Sequence, residues 1–335
     1  MKAKLAVFSL LLLFGWAVVQ SGRVGQSVDR WKKPAPVTSV RQIKVIEETP
    51  EYRLVKHPLG KTKVPRKPRR IVSLSPAATD SLAALGVRPA LVASSWQSGE
   101  PAPYLADRLR GVPVIRRGGT TPLEAVLEAK PDLIFCETMQ DGRLYGQLGK
   151  IAPTVCLTSM GSGDREAPIL DVGDVLAVAS QARRRLDEYR QRRDRAQKAL
   201  APQAKRQPVT FLRFRRNTCV IYARSSMFGP LLFEQLGLSP DPAMPIVMSS
   251  GGWDVLSVER LSTLSAEHIF LVVDPDSEAY LRGVAETPIW RNIPAVKHKH
   301  VHRVASKTWL GGEGILGCEA IIDDVLAAMA PQESR

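Results

Sequence analysis

The sequence predicts an α/β protein of two lobes, each with a central parallel-type sheet, joined by one long α-helix. Three observations carry this. Between residues 69 and 157 short apolar runs alternate with helix-like segments, which is the pattern of parallel strands joined by crossover helices. From about Ala167 to Leu200, beyond Pro168, Gly173 is the only strong breaker, and apolar residues recur at Leu170, Leu176, Ala179, Leu186 and Tyr189. One helix of about 50 Å would cover that stretch. After Pro202 the alternation of strands and helices restarts. The 335 residues, 44% hydrophobic and 24% charged, are enough for two lobes with separate cores.

The elements follow in order. Met1 to Lys4 is basic, Leu5 to Val19 is apolar, and Ser21-Gly22 is small and polar, so residues 1–21 read as a signal peptide or N-terminal anchor of an exported chain. The apolar run is short for a membrane span. No cysteine follows it, so a lipid on an N-terminal Cys is not expected. Residues 22–50 are polar, basic and without period, and read as a flexible spacer.

The N-terminal lobe is expected over residues 51–160. It opens with a hairpin, "RLVKHPLGKTKVP", turning at Pro58 and Gly60. Strand "RRIVSLS" leads into helix "PAATDSLAALG", with Pro76 early and Gly86 at its end, and strand "PALVASS" follows. Then come helix "TPLEAVLEAK", strand "PDLIFCE", helix "GRLYGQLGKI" and strand "APTVCLT". The bridging helix takes residues 161–202. The C-terminal lobe, 203–330, holds strands "PVTFLRF", "VIYA", "HIFLVVD" and "HVHRVA", with helices "MFGPLLFEQLG", "SVERLSTL", "SEAYLRGVAE" and "GCEAIIDDVLAAMA". Ligands of such architectures bind in the cleft at the carboxyl ends of the strands.

The net charge of +14 raises nucleic acid as a partner, but export argues against it. Much of the excess lies in "ARRRLDEYRQRRDRAQK", where acids interleave with bases at helical spacing, as on a solvated helix face. An exported basic protein meets anionic ligands or an anionic membrane surface instead. Four cysteines, at 136, 156, 219 and 318, are too few for a disulfide scaffold. They read as buried free thiols, with one Cys136–Cys156 disulfide as the alternative, because "PDLIFC" and "PTVC" fit neighbouring strands.

Catalytic signatures are missing. There is no GxxxxGK[ST], GxGxxG, HExxH or GxSxG, and Ser162 in "MGSGDRE" falls in a connection where turn chemistry explains it. The weight moves toward a binding protein rather than an enzyme.

Several blocks, in this order and spacing, resemble the substrate-binding proteins of iron-siderophore and vitamin B12 ABC importers. They are "YRLVKHPLGKTKVPRKPRRIVSLSPAATDSLAALGV", "PLEAVLEAKPDLIF", "IAPTV", "SVERLSTL", "ETPIWRNIPAVKHKHVHRV" and "WLGGEGILGCEAIIDDV". The likeness runs from about residue 52 to 330 and looks most like the ferric-siderophore branch of these class III periplasmic binding proteins. It implies two α/β lobes on a rigid helix and a ferric siderophore held between them as the transported ligand. No covalent cofactor and no direct metal ligand are implied, and the protein is expected to act as a monomer in the periplasm or on the outer face of the cytoplasmic membrane. In this family a glutamate on each lobe docks onto arginines of the membrane permease. The positions that match are Glu124 and Glu259. The physical logic is charge complementarity at two separated anchors.

An anionic chelate presents oxygen edges that suit the planar fork of arginine. The candidates are Arg117 in "VIRRGG" and Arg213 and Arg215 in "FLRFRRN", the last two on one strand face. Arg116 and Arg216 read equally well as surface residues. Aromatic candidates are Trp96, Tyr222, Trp253 and Trp309, whereas the resemblance implies that Trp290, in a block that recurs in the family as a packing element, belongs to the core. Asp80 stands where relatives often carry Glu, and "RRGG" favours an anionic ligand over neutral cobalamin. Haem would call on an axial Met or His, and Met139 and Met248 sit in loops. The alternatives are therefore a cobalamin or haem binder of the same fold, a secreted hydrolase, or an envelope-binding protein using its basic surface.

One stretch stands apart. "KHKHVHR" holds three of the five histidines at alternate positions, and on one continuous strand they would share a face and suit Zn²⁺. The resemblance places His298 and Lys299 in a turn and leaves only His300 and His302 on a strand. With Lys297 and Lys299 opposing a cation, the segment reads as a basic, exposed lead into the last strand rather than a metal site.

Overall fold

The computed structural model describes residues 41–94, 99–116, 121–158, 164–246 and 252–330. The signal or anchor segment, Trp96, Arg117 and Met248 lie outside them. Strand β1 (Lys44–Glu48) falls inside the stretch read as a flexible spacer, a correction with a simple cause. It pairs antiparallel with β2 (Tyr52–His57), and β2 pairs with β3 (Gly60–Pro65) across a two-residue turn. "KVIEE" is polar and stays largely exposed, so its own pattern does not read as a strand; pairing with β2 makes it one.

The first large sheet is wholly parallel. Strand β4 (Ile71–Ser73) enters helix α1 (Pro76–Ala84), whose N-cap Ser75 accepts from the Ala78 N–H and whose Pro76 sits in the first turn. Then follow β5 (Leu91–Ser94), β6 (Val114–Arg116), α2 (Leu123–Glu128), β7 (Leu133–Glu137), α3 (Tyr145–Ile151) and β8 (Thr154–Leu157). The spatial order is β6-β5-β4-β7-β8. The chain starts in the middle, winds out one way and returns the other, so the topological switch lies between the carboxyl ends of β4 and β7. Cys136 and Cys156 are register partners on β7 and β8, with Cα atoms 4.6 Å apart, and form a disulfide, which corrects the free-thiol reading for this pair. Cys219 and Cys318 are buried free thiols.

The bridging segment is two helices rather than one. Helix α4 (Ala167–Val175) stops, Ala177 turns with φ +59°, and α5 (Ala179–Ala204) runs on alone for 26 residues, about 39 Å. Gly173 explains the tightness of the corner. A Cβ there would stand 2.5 Å from the Ala182 Cβ, so the two helices touch where the glycine lies. Helix α5 also runs through Pro202 to Ala204, although the proline has no N–H to give the Lys198 carbonyl one turn back. Its basic residues find partners on other elements. Arg185 pairs with Glu319 at 2.6 Å, Arg192 with Asp323, and Arg190 and Arg193 both hold Glu166.

The second sheet, expected to be parallel, is mixed. Strands β9 (Val209–Arg215) and β10 (Thr218–Tyr222) form a hairpin whose turn residues, Arg216 and Asn217, both have positive φ, as the twist of paired strands favours. Strand β11 (Trp253–Leu256) pairs antiparallel with β10, while β12 (His268–Val273) and β13 (Val301–Arg303) are parallel to β9. The order is β11-β10-β9-β12-β13. "SVERLSTL" makes a 3-10 turn, Glu259–Thr263, and "PLLFEQ" a π-helical one, both where a regular helix is expected from the sequence.

One face of this sheet packs Leu212, Phe214, Ile221 and Leu271 against Trp290 and the helices α6 (Glu278–Ala285) and α7 (Pro288–Asn292), so Trp290 is core as expected. The other face packs Phe211, Tyr222 and Phe270 toward α5 and the last helix, α8 (Ile315–Met329). Helix α8 also meets the first lobe. Asp80 of α1 accepts hydrogen bonds from the Leu316 and Gly317 N–H groups at 3.1 and 2.9 Å, which caps α8 from the other lobe. Gly314 makes room for it, because a Cβ there would lie 2.2 Å from the Asp80 carboxylate. The lobes are thus tied by two helices.

Candidate functional site

The lobes touch beyond the carboxyl ends of strands from both sheets. Lys307, just after β13, bonds Glu100, beyond the carboxyl end of β5, at 3.0 Å. Beside this pair a pocket is lined by Pro76, Thr79, Ser94 and Tyr104 of one lobe and Lys307 and Gly311 of the other. The cleft expected at the carboxyl ends of the strands would lie here, between β4, β5, β6 and β7 on one side and β9, β12 and β13 on the other.

On the C-terminal side, Arg213 dominates. Its Nε and Nη2 donate to the two carboxylate oxygens of Asp274 at 2.9 and 2.7 Å, and Tyr222 also bonds it. Burial works against its charge, but the bonds to Asp274 and Tyr222 outweigh burial and raise its pKa. Arg215 lies on the same face, two residues on at the end of β9, with its guanidinium 5.3 Å from the centre of the Trp253 ring. Trp253 is half-buried and pairs across from Tyr222. Arg303 forks onto Glu278 at the end of β13.

Two expected pocket aromatics are elsewhere. Trp309 is 2% exposed, stacked on Phe211 and Phe270 with centroids 5.4 and 4.7 Å away, and its Nε1 donates to Asp324 at 2.8 Å. It is core. Tyr222 is equally buried, edge-on to Phe211 at 5.0 Å, so it reaches the site only through Arg213. The reason is periodicity: Phe211, Arg213 and Arg215 share one face of β9, and that face passes from buried at Phe211 to half-buried at Arg213 and Arg215. Arg216 is a turn residue.

On the N-terminal side, Arg116 is exposed at the end of β6, beside the position of Arg117. Buried polar groups crowd the switch point. Thr79 donates to Ser73 at 2.8 Å, while Asp141 takes the Thr121 hydroxyl at 2.7 Å and the Glu137 N–H at 2.9 Å. Glu137 is fully buried at the end of β7. Glu137, Asp274, Lys307 and Glu100 were not singled out from the sequence. Glu137 ends β7 and Asp274 directly follows β12, while Glu100 and Lys307 lie a few residues beyond β5 and β13, and that position was the only signal available.

Glu124 is exposed in the first turn of α2, and Glu259 is exposed on its 3-10 turn. Bonds from its own N–H and from the Ser257 hydroxyl lower the Glu259 pKa and keep it ionised. Met139 is 73% exposed. The "KHKHVHR" segment corrects one expectation and keeps another. His298 ends a helical turn and Lys299 has φ +62°, as a turn requires, but His300 and His302 are half-buried against His268 rather than led into solvent.

Comparison with known proteins adds the following. A family model described as periplasmic binding protein matches residues 71–308. The chain is similar to the probable siderophore-binding lipoprotein YfiY of Bacillus subtilis, 26% identical over 283 residues that cover 82% of this chain and 86% of the relative. It is similar to the Fe(3+) dicitrate-binding periplasmic protein FecB of Escherichia coli, 25% identical over 78% of this chain and 85% of that one. Among solved structures, Staphylococcus aureus SirA complexed with staphyloferrin B superposes with a TM-score of 0.69 and 27% identity, covering 82% of this chain and 97% of that one. Among the described residues no helix is long and apolar enough to cross a membrane.

Proposed function

This chain belongs to the periplasmic binding protein family, and from that premise we propose that it captures a ferric siderophore between its two lobes and delivers it to the permease of an ABC importer for iron uptake. The protein is a carrier, not an enzyme: the chelate is bound, carried and released unchanged. Relatives with siderophore, ferric dicitrate and staphyloferrin B in their names support the ligand class. The observation that carries the reading is the pair Arg213 and Arg215 on one face of β9 toward its carboxyl end, Arg213 held by Asp274 and Arg215 set against Trp253.

The chemistry is as follows. A ferric chelate presents anionic oxygen edges, and a guanidinium already oriented by a carboxylate loses less entropy on binding them. Arg213, positioned by Asp274 and Tyr222, and Arg215, resting on Trp253, supply the cationic wall. Trp253 supplies an apolar face, and Arg116, with Arg117 and Trp96 expected beside it, supplies the opposite wall. Glu124 and Glu259 are the docking groups for the permease, one on each lobe. Because α5 and the Asp80–α8 contact hold the lobes together, closure on the ligand is small. The protein works outside the cytoplasmic membrane, as relatives named periplasmic protein and lipoprotein do.

The test is intrinsic tryptophan fluorescence titrated with ferric citrate, ferric staphyloferrin B, a ferric hydroxamate, a ferric catecholate, haemin and cobalamin. Saturable quenching by one ferric chelate supports the reading. Quenching by haemin or cobalamin alone moves the ligand within the family, and no response to any of them at micromolar levels overturns it.

A further inference from the structure

At the end of the C-terminal sheet opposite the cleft, four of the five histidines converge. Strands β12 and β13 are parallel with Ile269 opposite Val301 and Phe270 opposite His302, so His268 and His300 are neighbours at the strand starts. Their rings stack with centroids 4.4 Å apart and planes within 2°. His302 lies 3.0 Å from His268, Nε2 to Nδ1, and Gln207 takes the other ring nitrogen of His268 at 3.1 Å. The turn before β13 then brings His298 back over Glu267, Nδ1 to Oε2 at 2.8 Å.

We propose that Glu267, His298 and His300 form a binding site for a divalent transition metal of the zinc class, separate from the cleft. One donor atom from each of the three lies within 4.8 Å of the others. Bound at about 2.1 Å, tetrahedral donors stand roughly 3.3 Å apart, so a shift of the exposed His298 closes the set and water fills the fourth position. Proton positions agree with this. The Glu267 carbonyl can only accept, so the 3.1 Å contact puts the proton of His300 on Nδ1 and leaves Nε2 with its lone pair. A ligand imidazole pinned through its other nitrogen to an oxygen is the usual outer arrangement of a metal site. At His298 the cation takes the place of the proton shared with Glu267, and that proton moves to Nε2, so the ring stays neutral. His268 stacks against His300 and, with its own nitrogens engaged by His302 and Gln207, keeps the ring oriented.

Two imidazoles and one carboxylate suit Zn²⁺, Ni²⁺ or Cu²⁺ better than Ca²⁺ or Mg²⁺, which prefer all-oxygen shells. Lys297 and Lys299 flank the ligands and oppose the cation, but both side chains are exposed and screened by water. Strand β12 has six residues, so its start lies about 17 Å from the cleft end of the same strand. A metal here is not the transported cargo; it fastens the turn before β13 to the start of β12.

The experiment is titration of Zn²⁺ alone into the chelator-treated full chain by calorimetry, with thermal unfolding as a second readout. The expected result is one saturable site per chain and a higher unfolding midpoint with zinc. In His298→Ala, an exposed position whose loss leaves the fold intact, zinc affinity drops about 100-fold and the midpoint no longer responds. His57→Ala, far from the cluster, keeps both. Absence of saturable binding below millimolar zinc, or binding unchanged in a folded His298→Ala/His300→Ala double variant, overturns the site. Ferric-chelate quenching is measured in parallel, and the site stands or falls independently of it.

Discussion

Arg213 and Asp274 meet fork to fork, Nε to Oδ1 at 2.9 Å and Nη2 to Oδ2 at 2.7 Å, at the ends of the neighbouring parallel strands β9 and β12. A lysine keeps the charge but cannot hold that plane. Arg213→Lys is therefore expected to weaken ferric-chelate binding about tenfold, a loss of about 1.4 kcal/mol. Fluorescence titration reads it, and an unchanged affinity removes Arg213 from the binding wall.

Glu124 and Glu259 predict a separation of binding from delivery. The double variant Glu124→Ala/Glu259→Ala should bind the ferric chelate as wild type does and lose about tenfold or more in iron uptake, because both anchors set orientation on the permease. Uptake of labelled iron into cells carrying each variant measures this. Normal uptake by the double variant would remove the docking role.

Asp80 is fully buried, and burial pushes its carboxyl up to about 6 even though the Leu316 and Gly317 N–H groups pull it down. Replacing it by Ala leaves two buried donors without their acceptor at the start of α8. The expected cost is about 1–3 kcal/mol in urea unfolding. An unchanged urea midpoint would mean that water replaces the carboxylate.

The Cys136–Cys156 disulfide closes a loop of 20 residues. On the chain-entropy account such a loop is worth about 3 kcal/mol. The Cys136→Ala/Cys156→Ala variant should therefore unfold at lower urea under oxidising conditions, and reductant should shift wild type but not the variant.

His268 predicts the response to acid. Burial first, then the neighbouring His300 and His302, lower its pKa to about 4. An unfolded histidine titrates near 6.5, so the unfolded chain binds the proton first as pH falls. The stability this group contributes is complete above about pH 6.5 and is lost progressively toward pH 4. Between those limits wild type should lose about 2–3 kcal/mol more than His268→Gln. His57, also lowered to about 4 by burial, has the same sign, and Asp80 the opposite one. Both cancel in the comparison. Parallel pH curves for the two proteins would show that His268 is not held neutral.

The period of the apolar residues marked most strands and helices of both lobes, because alternation of short buried runs with helical segments has few other solutions. Arg213 and Arg215 were legible as one strand face for the same local reason, whereas Trp290 was read as core through the family resemblance of its block. What the sequence left open depends on neighbours far along the chain. "KVIEE" became a strand because β2 was beside it, and the long helix broke where Gly173 let Ala182 approach.

The sequence by itself determined the order of most elements, though not β1, β11 or the break in the long helix, together with the two-lobed α/β plan and the charge at the end of β9, all carried by patterns a few residues long. Tertiary structure alone decided which arginine is already held by a carboxylate, which aromatics are core, and that β7 and β8 place two cysteines in register. It also brought Glu267 and His268 to the histidines of "KHKHVHR". The physical reason is range: periodicity reports which face of an element is buried, whereas a site is made by what lies opposite that face, here 31 to 61 residues away along the chain.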